Sequence, residues 1–222
     1  MKILARIALL LVLAGLSTGA AQAAGGVAFV DRVGLLQSDN GDACVATLLR
    51  GDVALTAAHC LFDQSMATLR LDQLRFLLEP EDVDGVPVVD VSVPVGFDPT
   101  AGATPDAIVR DLSLVRLGWA VGELSLPPRG RPVLPGDLLA LFRAGSAVPV
   151  SCAVVAVDGE LFTLDCQVSL GDSGAPLTRE WREVTELVGI VSAFEAEDAA
   201  YTAIAVEIGD GIERLLARLK AR

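Results

Sequence analysis

Leu55-Thr56-Ala57-Ala58-His59-Cys60 (LTAAHC) holds the one histidine of a 222-residue chain. A lone histidine after small apolar residues is ordinarily a packed ring. The neighbouring cysteine opens a second possibility. Cys60 is one of four cysteines, with Cys44, Cys152 and Cys166. An even count in an exported chain reads as two disulfides. Pairing within each near-neighbour couple would place one clip in each half of the chain. Each clip would stabilise by about 3 kcal/mol on the loop-entropy estimate. With a single histidine and no C-x-x-C spacing, a Cys–His zinc site is not expected, and no cofactor is called for.

Export rests on the other end of the chain. Lys2 and Arg6 precede the apolar run Ile7–Leu16, which is too short to span a bilayer, and Ala21-Gln22-Ala23 offers a cleavage signal. Residues 1–23 are therefore expected to be a signal peptide. The mature domain would be 24–222, secreted or periplasmic, with no stable membrane insertion. The formal net charge of −12 disfavours nucleic acid and anionic membranes as partners.

The remaining sequence reads as β. Short Val-, Leu-, Ala- and Thr-rich runs are broken by Gly, Pro and Asp. Strands are expected at Val27–Leu36, Ala43–Leu49, Val53–Thr56, Thr68–Leu71, Leu74–Leu78, Val86–Val93 and Leu112–Leu117. The proline-containing segment Gly118–Gly136 reads as a linker. A second set is expected at Leu138–Phe142, Val148–Val157, Leu161–Cys166, Ala175–Thr178, Glu186–Ala193 and Tyr201–Val206. Asp158-Gly159 signals a hairpin that would bring Cys152 toward Cys166. Ile208, Ile212, Leu215, Leu216 and Leu219 recur at helical spacing, so a terminal helix over about 207–220 would cover apolar surface.

Chemistry concentrates in two further stretches. In Gly171-Asp172-Ser173-Gly174-Ala175-Pro176 (GDSGAP), Ser173 lies in a tight glycine turn. The N–H groups of Gly171 and Ser173 can converge there on one carbonyl oxygen. A serine hydroxyl needs a base, and His59 is the only ordinary candidate. The imidazole needs a carboxylate to fix its tautomer, and Asp111 opens the alternating run Asp111-Leu112-Ser113-Leu114-Val115-Arg116-Leu117 (DLSLVRL).

LTAAHC, DLSLVRL and GDSGAP, in the order His, Asp, Ser, resemble the chymotrypsin- or trypsin-like serine peptidases of bacterial secreted type. An α/β-hydrolase would run Ser, Asp/Glu, His and carry G-x-S-x-G, whereas Ala175 stands two after Ser173. The resemblance covers nearly the whole mature chain. It implies an all-β fold of two packed six-stranded antiparallel barrels, about 27–118 and 136–206, with a C-terminal helix. It implies a catalytic triad of His59, Asp111 and Ser173, an oxyanion hole at Gly171 and Ser173, and a Cys44–Cys60 clasp on the histidine loop. Leu187–Ser192 resembles the strand beside the substrate cleft, with Ser192 near the aspartate. The substrate would be a protein or peptide.

The chain departs from the family in two places. Animal members pair a newly cut N-terminus with the aspartate before the serine. Asp172 is present here, but a matching cleavage site is not. Either the terminus near Ala24 fills that role or Asp172 pairs elsewhere, and no separate activation step is expected. Gln167 stands where tryptic enzymes carry an aspartate. A strict glutamate preference is disfavoured, because the only histidine is committed to the triad. The expected pocket is Gln167, Val168, Ser169, Val191, Ser192, Ala193 and Phe194, with Ala199 beside them, shallow and suited to small or aliphatic side chains. The acidic stretch Glu79–Gly85 resembles a calcium loop in position, but an ordinary solvated loop is the expectation. Two other functions are compatible with the same residues: a catalytically silent binding protein and a serine esterase.

Overall fold

The computed structural model describes residues 28–62, 65, 71–79, 84–197 and 200–220. The expected signal peptide, most of the acidic stretch 79–85, and Ala199 lie outside them. Six strands form the first closed barrel: β1 (Val33–Ser38), β2 (Ala43–Arg50), β3 (Val53–Thr56), β4 (Leu74–Leu77), β5 (Val86–Ser92) and β6 (Ser113–Leu117). They close in the order β1-β2-β3-β6-β5-β4. The second barrel contains β7 (Leu138–Leu141), β8 (Val150–Asp158), β9 (Leu161–Gln167), β10 (Pro176–Trp181), β11 (Val184–Glu197) and β12 (Ala200–Glu207). It closes as β10-β11-β12-β9-β8-β7, and the strand pairs of both barrels are antiparallel. A short helix α1 (Pro105–Ile108) precedes β6, and α2 (Gly211–Lys220) ends the chain. This is the trypsin-like arrangement the motifs imply.

Alternation explains the strands. Along β9, Phe162, Leu164 and Cys166 are buried, while Asp165 and Gln167 face outward. The first barrel fills with Leu48, Phe76, Val115 and their neighbours. The second fills with Phe162, Leu164, Leu141 and Leu177. A third apolar group joins Leu55 and Leu114 of the first barrel to Leu187, Ile190 and Val206 of the second, and Ile212, Leu215 and Leu219 of α2 pack into it. The terminal helix thus seals the seam between the barrels, which accounts for its spacing of apolar residues.

Both disulfides form, Cys44–Cys60 and Cys152–Cys166. The hairpin explains the second. Val154 faces Leu164 across β8 and β9, and the same register two residues outward sets Cys152 opposite Cys166. Asp158 pairs with Leu161, so the two loop residues are Gly159 and Glu160 rather than Asp158 and Gly159. Gly159 takes φ 62°, the left-handed first position that primed turns assign to glycine.

Elsewhere the boundaries shift for identifiable reasons. The expected strand Val27–Leu36 begins as a 3-10 turn, Phe29–Arg32, because Phe29 packs on Phe142 of the second barrel with ring centroids 5.2 Å apart. In the expected strand Thr68–Leu71 only Leu71 is described, and it opens a 3-10 turn. The terminal helix starts at Gly211, since β12 runs to Glu207 and Gly209 turns the chain at φ 37°. The linker is tied down: Leu187 N–H donates to Pro128 O and Gly130 N–H to Leu187 O.

One glycine decides how closely the barrels approach. Gly174 has φ 82°, and a Cβ there would lie 2.1 Å from Val45 O and 2.6 Å from Thr56 Oγ1. The neighbouring Ser173 O accepts from Val45 N–H at 2.8 Å, so this is where the serine loop is stitched to the first barrel. Gly174→Ala must therefore part the barrels locally or strain the backbone. We expect a cost of at least about 3 kcal/mol, read as a melting temperature lower by roughly 6–12 °C.

Candidate active site

His59 lies in the 3-10 turn Ala58–Leu61 that comes after β3, clasped by the disulfide from Cys60 to Cys44 at the start of β2. Asp111 comes after α1, with its N–H on Ile108 O, and stands just before β6. The Ser113 hydroxyl donates to Thr56 O and Ala57 O and so ties the start of β6 to the approach to His59. The result is a two-point contact. His59 Nδ1 lies 2.7 Å from Asp111 Oδ2, and the His59 backbone N–H donates to Asp111 Oδ1 at 2.7 Å. The carboxylate side chain is 6% exposed and the imidazole 41%. A buried anion on Nδ1 holds the proton there and leaves Nε2 as the basic nitrogen.

The second barrel adds the rest. The Ser192 hydroxyl donates to Asp111 Oδ2, giving the carboxylate a third donor. Ser173 lines the same cleft as His59 and Asp111. Its hydroxyl does not hydrogen-bond the His59 ring in this structure, and Nε2 stands 3.7 Å from Cys60 Sγ. Such contacts often tighten only when substrate is bound. Around Ser173, Asp172 N–H donates to Ser169 O, Gly174 N–H to Val191 O and Ala175 N–H to Asp172 O. Among the described residues no protein acceptor takes the N–H of Gly171 or of Ser173. Gly171 has φ 96°, a conformation that suits glycine.

Cys44, His59 and Cys60 gather their ligand atoms within 4.8 Å of one another. The disulfide causes this grouping, and with both sulfurs bonded to each other no thiolate is left for a metal.

Removing the Ser192 hydroxyl should leave Asp111 held by His59 alone. We expect Ser192→Ala to fold normally and to lower kcat by roughly tenfold with little change in KM, which steady-state assays would read.

The cleft encloses about 610 Å³. Of the expected pocket residues that the structure describes, Ser192 and Ala193 line it. Gln167 is an exposed end of β9 paired with Thr202. Val168 turns into the second barrel's core, 3% exposed, with Val191, and Phe194 packs against that core. Ser169 instead holds Asp172, donating to its Oδ2 from both N–H and hydroxyl. The alternation of β9 carries past its end, so Val168 points into the core. The walls come mostly from the first barrel: Phe62, Phe97, Pro99, Ala107 and Ile108, facing Leu170.

Two features escaped sequence reading. The 97–108 wall showed no strand or motif, only the Thr104-Pro105 start of a helix. Arg143 is the second. Its Nε lies 3.0 and 3.1 Å from the two Asp172 carboxylate oxygens, and its NH2 group donates to Gln167 O. Asp172 thus pairs with a side chain of its own barrel. The available signal was that Arg143 is the only charged residue between Leu138 and Val157.

No family model matches the chain.

Proposed function

We propose that the chain is an exported serine endopeptidase of trypsin-like type, hydrolysing peptide bonds through an acyl-enzyme. The observation that carries this reading is the buried Asp111 carboxylate on His59 Nδ1, in one cleft with Ser173 and two uncommitted N–H groups. In this mechanism Ser173 Oγ attacks the substrate carbonyl while His59 Nε2 takes its proton. The N–H groups of Gly171 and Ser173 receive the developing oxyanion. His59 then hands the proton to the leaving amine, and water repeats the sequence to release the acid. Asp111 keeps the Nδ1 proton in place and stabilises the imidazolium. The two disulfides, and the absence among the described residues of a helix long and apolar enough to cross a membrane, are in keeping with the extracytoplasmic location proposed here.

The cleft supports a statement about substrate. Its walls are apolar on the first-barrel side; among the described residues its acidic members besides Asp111 are Asp42 and Asp98, and no Lys or Arg lines it. Peptides with a large apolar residue next to the scissile bond should be preferred, and acidic residues there rejected. Phe97 stacks on Phe62 with centroids 5.7 Å apart and forms part of this wall. Phe97→Ala should cut kcat/KM for such peptides about tenfold, mainly through KM. Labelling of the folded protein by a fluorophosphonate tests the function itself, and a peptide-library digest tests the preference. A digest that selects Glu or Asp beside the cut would overturn the preference.

A further inference from the structure

A second cavity, about 370 Å³, shares no residue with the cleft. It lies where α2 packs against β5 and β6, and it is lined by Arg110 and Leu112, the two neighbours of Asp111, together with the first turns of α2. Three of its lining residues are arginines: Arg110, Arg214 and Arg218.

These arginines are unlike six of the nine other described arginines. Arg50, Arg116, Arg129, Arg131, Arg143 and Arg179 each have a carboxylate oxygen within 4 Å. Among the described residues, Arg110, Arg214 and Arg218 have none, although acidic residues outnumber basic ones 29 to 17. Two of the three are also aimed. Arg110 donates from NH1 to Asp106 O at 2.6 Å, and Arg218 from NH1 to Val93 O at 2.9 Å. Each tether uses part of the guanidinium and leaves its other N–H groups free. Arg214 and Arg218 stand one helical turn apart, where like charges repel. A chain this acidic has ample carboxylates to relieve that repulsion, yet here it places none in contact.

The cavity also has two carboxylates in its lining, Glu160 and Glu207. Burial pushes the Glu207 carboxyl pKa up, and the Val133 N–H opposes this. Three fixed cations against two carboxylates leave the site locally positive within a negative protein. Guanidinium groups from α2 and from the segment before β6 match an anion whose oxygens can each accept from a different fork.

We propose that this cavity is a binding site for a compact multivalent oxyanion, of the phosphate or polycarboxylate class, held by Arg110, Arg214 and Arg218. The site is independent of whether Ser173 is a nucleophile.

Thermal unfolding with inorganic phosphate, and separately with citrate, tests it, with ionic strength held constant by chloride. The melting temperature should rise with the logarithm of anion concentration above Kd, by roughly 5 °C or more at a hundredfold excess over Kd. Arg214→Gln/Arg218→Gln should lose the rise, and Arg75→Gln, at the exposed position of β4, should keep it. Glu160→Gln should tighten binding several-fold. Should the double variant not fold, phenylglyoxal modification of the wild-type protein, mapped by mass spectrometry, gives the same information. Phosphate or citrate should protect Arg110, Arg214 and Arg218 but not Arg75. A response to one anion and not the other identifies which class fits. No shift with either anion beyond that of the chloride control, a shift unchanged in the double variant, or equal protection of Arg75 would overturn the proposal.

Discussion

Ser173→Ala is expected to yield a folded protein with both disulfides intact that no fluorophosphonate labels and whose peptide hydrolysis is slower by about 10⁴-fold or more. The substitution removes one oxygen that makes no hydrogen bond in the structure, so stability should barely change. The whole effect would then be chemical. His59→Ala should cost about as much, and the double variant hardly more, because nucleophile and base act as a unit. His59 has a structural side too. Its backbone N–H would still reach Asp111 Oδ1, so the loop should survive loss of the ring. Three outcomes are informative. A folded wild-type protein that resists labelling sinks the peptidase proposal and favours the silent binding protein. Labelling combined with hydrolysis of esters alone favours the esterase. Labelling that persists in Ser173→Ala shows another nucleophile.

The three residues proposed as a triad could be picked out because three short motifs each report a local need. A base requires a held loop, a carboxylate requires a buried strand end, and an oxyanion site requires glycine beside the serine. Each need is met within six or seven residues, and the structure places all three in one cleft. The barrels were legible for a similar reason: period-two alternation with turn residues is a local signal, and Phe162, Leu164 and Cys166 obey it strand by strand. The cleft's walls were not legible. Phe62 and Phe97 come from loops and Ile108 from the short helix α1, and their approach to Leu170 is set by how the two barrels pack. That packing is decided at distant points such as Gly174 against Val45. Counting back from Ser173 assumes that the segment 167–169 keeps the family's path. Here Val168 belongs to the core and Ser169 supports Asp172, so neither side chain is among those that line the cleft.

Arg143→Met should inactivate the protein nearly as thoroughly as loss of an oxyanion donor, by about 10²- to 10³-fold in kcat. Asp172 is the cause, because its side chain is 8% exposed while that of Arg143 is 33% exposed. Asp172 anchors the loop through Ser169 N–H and hydroxyl as well as Arg143, and the two oxyanion N–H groups flank it in sequence. With the guanidinium gone, a buried carboxylate is left without a counter-charge, at a cost of about 3 kcal/mol. The loop can escape that cost by turning Asp172 to solvent, which would also turn Gly171 N–H and Ser173 N–H away from the cleft. Stability and activity should therefore separate in the pair of variants. Arg143→Met/Asp172→Asn removes the stranded charge and should regain most of the melting temperature. It should not regain activity, because the fork that fixes the loop is still missing. Arg143→Lys keeps the charge but loses the two-pronged geometry, and should fall between. The internal pair also bears on activation. Since Asp172 already has a cation from its own barrel, proteins beginning at different residues before Ala28 should hydrolyse peptides equally well. A protein that stays inert until its N-terminus is cut, or an Arg143→Met variant with full activity, would show that some other group organises the loop.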